Sequence, residues 1–265
     1  MKSAPPLIYL ALGLAAAMCL SPHANAQHPV VDAPTTVAEQ YLLSAANQER
    51  AALGLQQLHR DPQLARAAVQ HARVMAAHGT ISHQFPGEAE LSARASSAGV
   101  RFSVVSENVG EAPSAVKIHD MWMHSTGHRT NLLDPAIDSA GISVIARNGE
   151  LYAVEDFAKT VRAVSLEDQE SSVAALVAQR GAMAIDLSPE TVSDARKTCA
   201  MSTGYAGARK PWFVMRFTSD SLGVLPDQLK TRIASGRFHQ AAVGACADPA
   251  KGPFTSYNIA VLLYP

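Results

Sequence analysis

Three cysteines in 265 residues leave little thiol chemistry to consider. Cys19 sits in an N-terminal segment that reads as an address, so Cys199 and Cys246 remain for the mature chain as one disulfide or two free thiols. An even count and an oxidising destination favour the bridge. A surplus of charge of either sign is also missing. The net charge of -1, with 17% charged residues, supplies no general attraction for nucleic acid or an acidic membrane surface. Beyond Leu7 to Leu20 there is no long apolar run, and that one is shorter than the roughly 20 residues a spanning helix needs. No transmembrane anchor is therefore expected in the mature chain. No strand-turn-helix elbow of glycine, serine and glycine is visible, which removes the usual serine hydrolase arrangement. Internal repeats and low-complexity tracts are absent from the sequence as well.

The first residues supply the address. Lys2 precedes the apolar run, and Ser21-Pro22 and the small-residue triplet Ala24-Asn25-Ala26 follow it, the pattern of a secretory signal peptide over residues 1–26. Met18 stands just before Cys19, where a lipoprotein signal wants a small residue. The remaining chain of about 240 residues, 48% hydrophobic overall, suffices for one large domain or two modest ones with real cores.

Periodicity organises this remainder. Val37, Tyr41, Leu42, Ala45, Ala46, Glu49, Ala52 and Leu53 recur at helical spacing until Gly54. A second helix opens at Asp61-Pro62, runs through Leu64, Ala67, Ala68, His71, Met75 and Ala76, and stops at Gly79. Shorter helices are expected over Glu88 to Ser97 and from Pro113 or Ser114 to Met123. Two strands, Gly141 to Arg147 and Glu150 to Phe157, flank Asn148-Gly149, a pair suited to a tight hairpin. Helices first and a hairpin last imply an α+β unit with helices covering an antiparallel sheet. A polar stretch near Ala163 to Asp168 marks the expected boundary. Beyond it the expected elements are helices near Val173 to Gln179, Glu190 to Lys197 and Pro226 to Ala234, with strands at Trp212 to Phe217, Ala241 to Ala245 and Tyr257 to Leu263.

Histidines mark the breaks between these elements. His83 follows the second helix in Ile81-Ser82-His83, and His128 follows Gly127. Taken singly, each is an ordinary loop residue, as is Glu107 between Val104-Val105 and Val109. His124 and His128 are four apart, but no glutamate follows His124 as a metalloprotease helix requires, and Gly127 interrupts the helix. Asn131 and Arg129 read as structural, Arg129 as a partner for Asp134 or Asp138. Met121 and Trp122 read as core, and His239 as exposed.

The ordered set is more specific than its parts. LLSAANQERAALGLQQL ending at Leu58, then Leu64-Ala65-Arg66-Ala67-Ala68, Ser82-His83, Glu107-Asn108-Val109-Gly110, WMHSTGHRTNLL from Trp122 to Leu133, Ala140-Gly141-Ile142 and Val154 to Phe157 follow one another in that order. This resembles the bacterial branch of the CAP superfamily, relatives of cysteine-rich secretory proteins, antigen 5 and plant pathogenesis-related proteins, over residues 37–160. The resemblance implies an α-β-α sandwich and does not extend to the smaller mixed α/β region expected over 165–265. It also implies a cleft of two histidines and two acids, in which His83, Glu107 and His128 fill three places. Ser125 stands near the fourth, where glutamate is frequent in animal and plant members. Glu155 is the candidate for a second carboxylate.

Such a cleft can hold Zn2+ or another divalent cation at His83 and His128, with Glu107 orienting a ring or taking a proton from bound water. It can equally stand without metal, Glu107 holding one histidine protonated. The preferred reading is an exported, periplasmic or secreted, binding module for a lipid or cell-envelope small molecule. The alternative is a metal-dependent hydrolase built on His83, His128 and Glu107. Support by the first region for a function of the C-terminal half is a third.

Overall fold

The structure is a computed structural model that describes residues 35–247 and 252–265; the expected signal peptide over 1–26 lies outside the described residues. Two four-stranded sheets, each with its own helices, make two lobes.

In the first lobe the chain runs α1 (Val37–Ala52), β1 (His59–Arg60), α2 (Pro62–His78), α3 (Leu91–Ser97), β2 (Phe102–Ala112), α4 (Ala115–His124), α5 (Thr126–Leu132), β3 (Ser139–Arg147) and β4 (Glu150–Thr160). Local chemistry sets the helix ends. Thr36 and Glu39 form a reciprocal capping box at the start of α1, and Asp61 accepts from the backbone of Gln63 and Leu64 ahead of Pro62 in α2. Gly79 closes α2 in the left-handed conformation, at φ 67°. Asn148 and Gly149 both have positive φ, as the expected hairpin turn demands.

The strand order is β1-β3-β4-β2, with β1 parallel to β3 and the other pairs antiparallel. Alternation then sends Val109, Tyr152 and Val154 toward α2, while Ala140, Ile142, Ala153 and Phe157 pack with Leu42 of α1 and Trp122 of α4. Helices on both faces make the α-β-α sandwich. Gly141 lets α2 approach closely, because a Cβ there would lie 2.2 Å from the Leu64 carbonyl carbon.

Several expectations are corrected. The buried face of α1 is Leu42, Ala45, Ala46 and Arg50, while Val37 is exposed and Tyr41 partly so. Arg50 can be buried because its guanidinium donates to the carbonyls of Gln56, Leu132, Asp134 and Ile137, tying α1 to the chain after α5. The third helix starts at Leu91, since Glu88 is occupied with the preceding loop, where its carboxylate accepts from Phe85 N. Met121 is exposed beside the buried Trp122. Asp138 accepts from Thr160 and Ser139, and Asp134 from Ala136 N; no ion pair joins either to Arg129 among the described residues.

The second lobe runs α6 (Leu166–Gly181), β5 (Ala184–Ile185), α7 (Pro189–Ala200), β6 (Phe213–Ser219), α8 (Asp227–Ala234), β7 (Gln240–Cys246) and β8 (Tyr257–Tyr264). Its sheet order is β5-β7-β8-β6, again with one parallel pair, β5 with β7. The topology of the first lobe is therefore repeated, although the sequence carries no repeat. The likeness reaches single hydrogen bonds. His59 N and Asp61 N donate to Asp138 O and Ala140 O; Ala184 N and Asp186 N donate to His239 O and Ala241 O. Glu39 of α1 accepts from Val144 N on β3, and Glu170 of α6 accepts from Ala245 N on β7. The layering matches too: Val173 and Leu229 of α6 and α8 pack with Ile259, Val261 and Leu263, and Ala195 of α7 packs with Ala242, Ala260 and Leu262 on the other face. Any apolar residues in alternation satisfy such a frame, so topology can persist where residue identities do not.

Cys199 at the end of α7 and Cys246 at the end of β7 form a disulfide, with Cα atoms 5.8 Å apart. The lobes meet along a seam where Asp220 bonds both Lys159 and Ser103, at 2.6 and 3.0 Å.

Candidate functional site

β2 is the edge strand of the first sheet, and its free edge is where the two helical layers meet. From the α2 side comes the loop after Gly79, carrying His83; from the other side comes α5, carrying His128. Side-chain amides replace the missing neighbour strand. Asn131 donates to Glu107 O and to Asn108 Oδ1, both at 3.1 Å, and Asn108 donates to His128 O at 3.0 Å. Trp122 donates from its indole to Val109 O at 2.9 Å, and Gly110 leaves room for that ring, since a Cβ there would lie 3.0 Å from Trp122 Nε1.

This edge brings the expected residues together. His83 Nδ1 lies 2.9 Å from Glu107 Oε1, and the His83 and His128 ring centres are 6.5 Å apart. Their exposures differ usefully: the His83 side chain is 62% exposed and that of Glu107 only 3%. Glu107 is thus a buried carboxylate at the base of an exposed imidazole, not the exposed loop residue its surroundings in the sequence suggest. His128 lies within α5, not in a loop. Burial, and then the neighbouring His83, lower its pKa and favour the neutral ring. Ser125 sits at the junction of α4 and α5 and makes no side-chain hydrogen bond to the other three. The helix breaks there and not at Gly127, so His124 and His128 belong to different helices; His124 turns its Nδ1 to Asp120 O.

Behind Glu107 lies a polar cluster that the sequence did not reveal. Arg94 of α3 contacts Glu107 Oε2 and donates to His83 O at 3.2 Å, so one guanidinium holds both the acid and the histidine loop. His71 of α2, fully buried, places Nδ1 2.7 Å from Glu88 and Nε2 2.7 Å from Ser82 O, with Glu107 Oε2 at 3.8 Å. A carbonyl only accepts, so Nε2 carries a proton. His71 has the spacing of one residue of an apolar stripe, yet it pins the His83 loop to α2.

Asp156 faces Glu107 across the β2–β4 ladder and is fully buried. Burial first, and then the charge of Glu107, push its pKa well up, Arg94 opposing, so its protonated form is favoured. Glu155 points to the opposite face, with Asn108 and Ile142 beside it in register, and is not a member of the cluster. It is wholly buried, neither of its carboxyl oxygens has a hydrogen-bond partner, and burial pushes its pKa up to about 8. The second carboxyl beside Glu107 is therefore Asp156. A signal did exist: an acid in a strand whose neighbours on both faces are apolar has to be buried.

Residues 43–157 match the CAP family model, described as the cysteine-rich secretory protein family. The first lobe is a CAP domain. A curated relative, the uncharacterised protein YkwD of Bacillus subtilis (strain 168), is 24% identical over 139 residues, 51% of this chain and 54% of YkwD. Among solved structures, an extracellular protein containing a SCP domain from Bacillus anthracis is 25% identical, with 48% of this chain and 45% of that one covered and a TM-score of 0.44. An outer surface protein of Borrelia burgdorferi is 21% identical over 48% of this chain and 96% of its own, with a TM-score of 0.45. The chain thus spans about half the length of YkwD. No described helix is long and apolar enough to cross a membrane.

What the CAP domain's cleft can hold follows from distance. Two imidazoles on one tetrahedral zinc, at about 2.1 Å per bond, stand with ring centres about 5 Å apart. His83 and His128 at 6.5 Å must close by roughly an ångström to share one. Among the described residues no group of three or more His, Cys, Asp or Glu side chains is arranged to hold a metal ion.

Proposed function

We propose that the protein is an exported binding module whose CAP cleft takes up a lipid or cell-envelope small molecule without transforming it. The observation that carries this reading is the His83–Glu107 pair: an exposed imidazole fixed at 2.9 Å by a buried carboxylate, which Arg94 in turn holds. Such a pair presents a rigid hydrogen-bonding head beside Leu91 and Val105 in an open cleft of about 430 Å³, within the size range of small-molecule sites. Export is supported by the N-terminal pattern of Lys2, the Leu7–Leu20 run and Ala24-Asn25-Ala26.

Incubation with envelope lipid extract, re-isolation and mass spectrometry tests the reading. Wild-type protein is expected to retain a ligand that His83→Ala loses; an empty spectrum from the wild type contradicts it.

A divalent cation bridging His83 and His128 is the second reading, favoured by the convergence of the two rings and by Glu107 on His83 Nδ1, the position that orients a metal-bound imidazole. With two protein ligands the site is weak and exchangeable, and a hydrolase needs more charge at the metal than this to activate water near neutral pH. Calorimetric zinc titration is expected to show one site that His83→Ala and His128→Ala each abolish; no heat above buffer removes the cation and with it the hydrolase.

A further inference from the structure

The cleft beside His83 is completed by a residue from the other lobe. Its walls include His83, Leu91, Val105, Glu107 and Phe254 together with polar side chains of the loop and of α3, and Phe254 lies in the connection between β7 and β8. In the first lobe the matching connection is only Asn148-Gly149, whereas here it occupies residues 247–256. The extra length reaches the neighbouring CAP domain: Thr255 N donates to Phe102 O at 2.7 Å, and the Phe254 ring stands edge-on to Phe102 at 5.2 Å. Both ends of the connection are fastened, by the Cys199–Cys246 disulfide where β7 stops and by Tyr257 Oη donating to Arg162 O at 2.8 Å where β8 begins. Phe254 is nonetheless 51% exposed. An aromatic ring with a fixed backbone, packed on one edge and open on the other, is placed to cover an apolar surface brought in from solvent.

We infer that Phe254 is the apolar wall of the CAP cleft, so that the second lobe selects a ligand carrying an alkyl chain or ring next to the polar group that engages His83 and Glu107. This role for Phe254 rests on the binding reading above and narrows the ligand to an amphipathic small molecule. Leu91, Val105 and Phe254 supply the apolar lining that receives the apolar part, and the His83 imidazole meets the polar end. The role also gives the second lobe a use that needs no chemistry of its own.

Dansyl undecanoic acid, a fluorescent fatty acid, serves as the probe, titrated into full-length wild type, Phe254→Ala, Phe254→Leu and His83→Ala. Phe254→Ala is expected to weaken binding on the order of tenfold, Phe254→Leu to recover most of that loss, and His83→Ala to weaken binding independently. Thermal unfolding of the variants close to that of wild type, expected because the His83 side chain is mostly exposed and Phe254 half-exposed, separates recognition from folding. If Phe254→Ala binds as wild type does while His83→Ala does not, the wall is overturned and the cleft survives. If the wild type fails to bind the probe, or both alanine variants bind it unchanged, wall and cleft fall together.

Discussion

Where Glu107 faces Asp156 across β2 and β4 in the first lobe, the second lobe has Val214 packed with Leu262. The correspondence follows the register from the parallel pairs His59/Ser139 and Ala184/Gln240. By the same count Glu155 corresponds to Val261, and Asn108 to Met215. One topology thus carries two interiors: the second lobe places buried or partly buried apolar side chains at these positions, and the CAP domain buries two acids on one face and one amide and one acid on the other. Burying carboxyls costs free energy that only specific partners offset, as Arg94 does for Glu107. The second lobe shows that a frame of this topology does not require them, although in the CAP domain Asn108 also ties β2 to α5 through His128 O.

The comparison can be broken at its frame. Gly141 against Leu64, and Gly244 against the backbone of Ala195 and Arg196, each admit a helix closely, with a Cβ at 2.2 Å in both cases. Gly141→Ala and Gly244→Ala are expected to destabilise their lobes by about 4 kcal/mol or to prevent folding, measured by urea unfolding. A mild effect at one and not the other would mean the lobes are built differently.

Next in size is the buried ion pair. Arg94→Met alone leaves Glu107 without its cation and is expected to cost about 3 kcal/mol at neutral pH. Combined with Glu107→Val and Asp156→Leu, which copy the second lobe, stability should return to the wild-type level or above while probe binding disappears. A combined variant that still binds would place recognition elsewhere.

Smaller again is the effect of Glu155, and it depends on pH. Its folded pKa of about 8 lies above the ordinary 4.5, so between these values the unfolded chain ionises while the folded one keeps its proton. The contribution of Glu155 to stability is therefore fully present below pH 4.5 and is lost as pH rises toward 8. Glu155→Val is expected to flatten that slope and to raise stability at pH 8 by on the order of 2 kcal/mol, with little change at pH 4.5, in urea unfolding at the two values. An equal slope in the variant would assign it to other groups. His83→Ala closes the series: with most of its side chain exposed, stability should change by less than about 0.5 kcal/mol.

Much of this was legible in the sequence. Helical periodicity and the caps at Asp61 and Gly79 located α2, Asn148-Gly149 located the hairpin, and the family resemblance brought His83, Glu107 and His128 to one place. What stayed hidden has physical reasons. His71 has the spacing of a core residue, and only the path of the loop after Gly79 turns that position toward Glu88 and Ser82. Asp156 and Glu155 are adjacent, and strand alternation says that one of them faces Glu107 without saying which, because both faces of β4 are covered. The second lobe's topology is set by pairings between β5, β7, β8 and β6, which leave only an apolar alternation in the sequence that many folds share.

The central claim is that ligand recognition belongs to the CAP cleft. Histidine ring NMR, recorded as envelope lipid extract is added to the full chain, reads both lobes at once, because His239 is the only histidine in the second. The account predicts shifts at His83 and His128 and a silent His239. Shifts at His239 with His83 and His128 unmoved would contradict it.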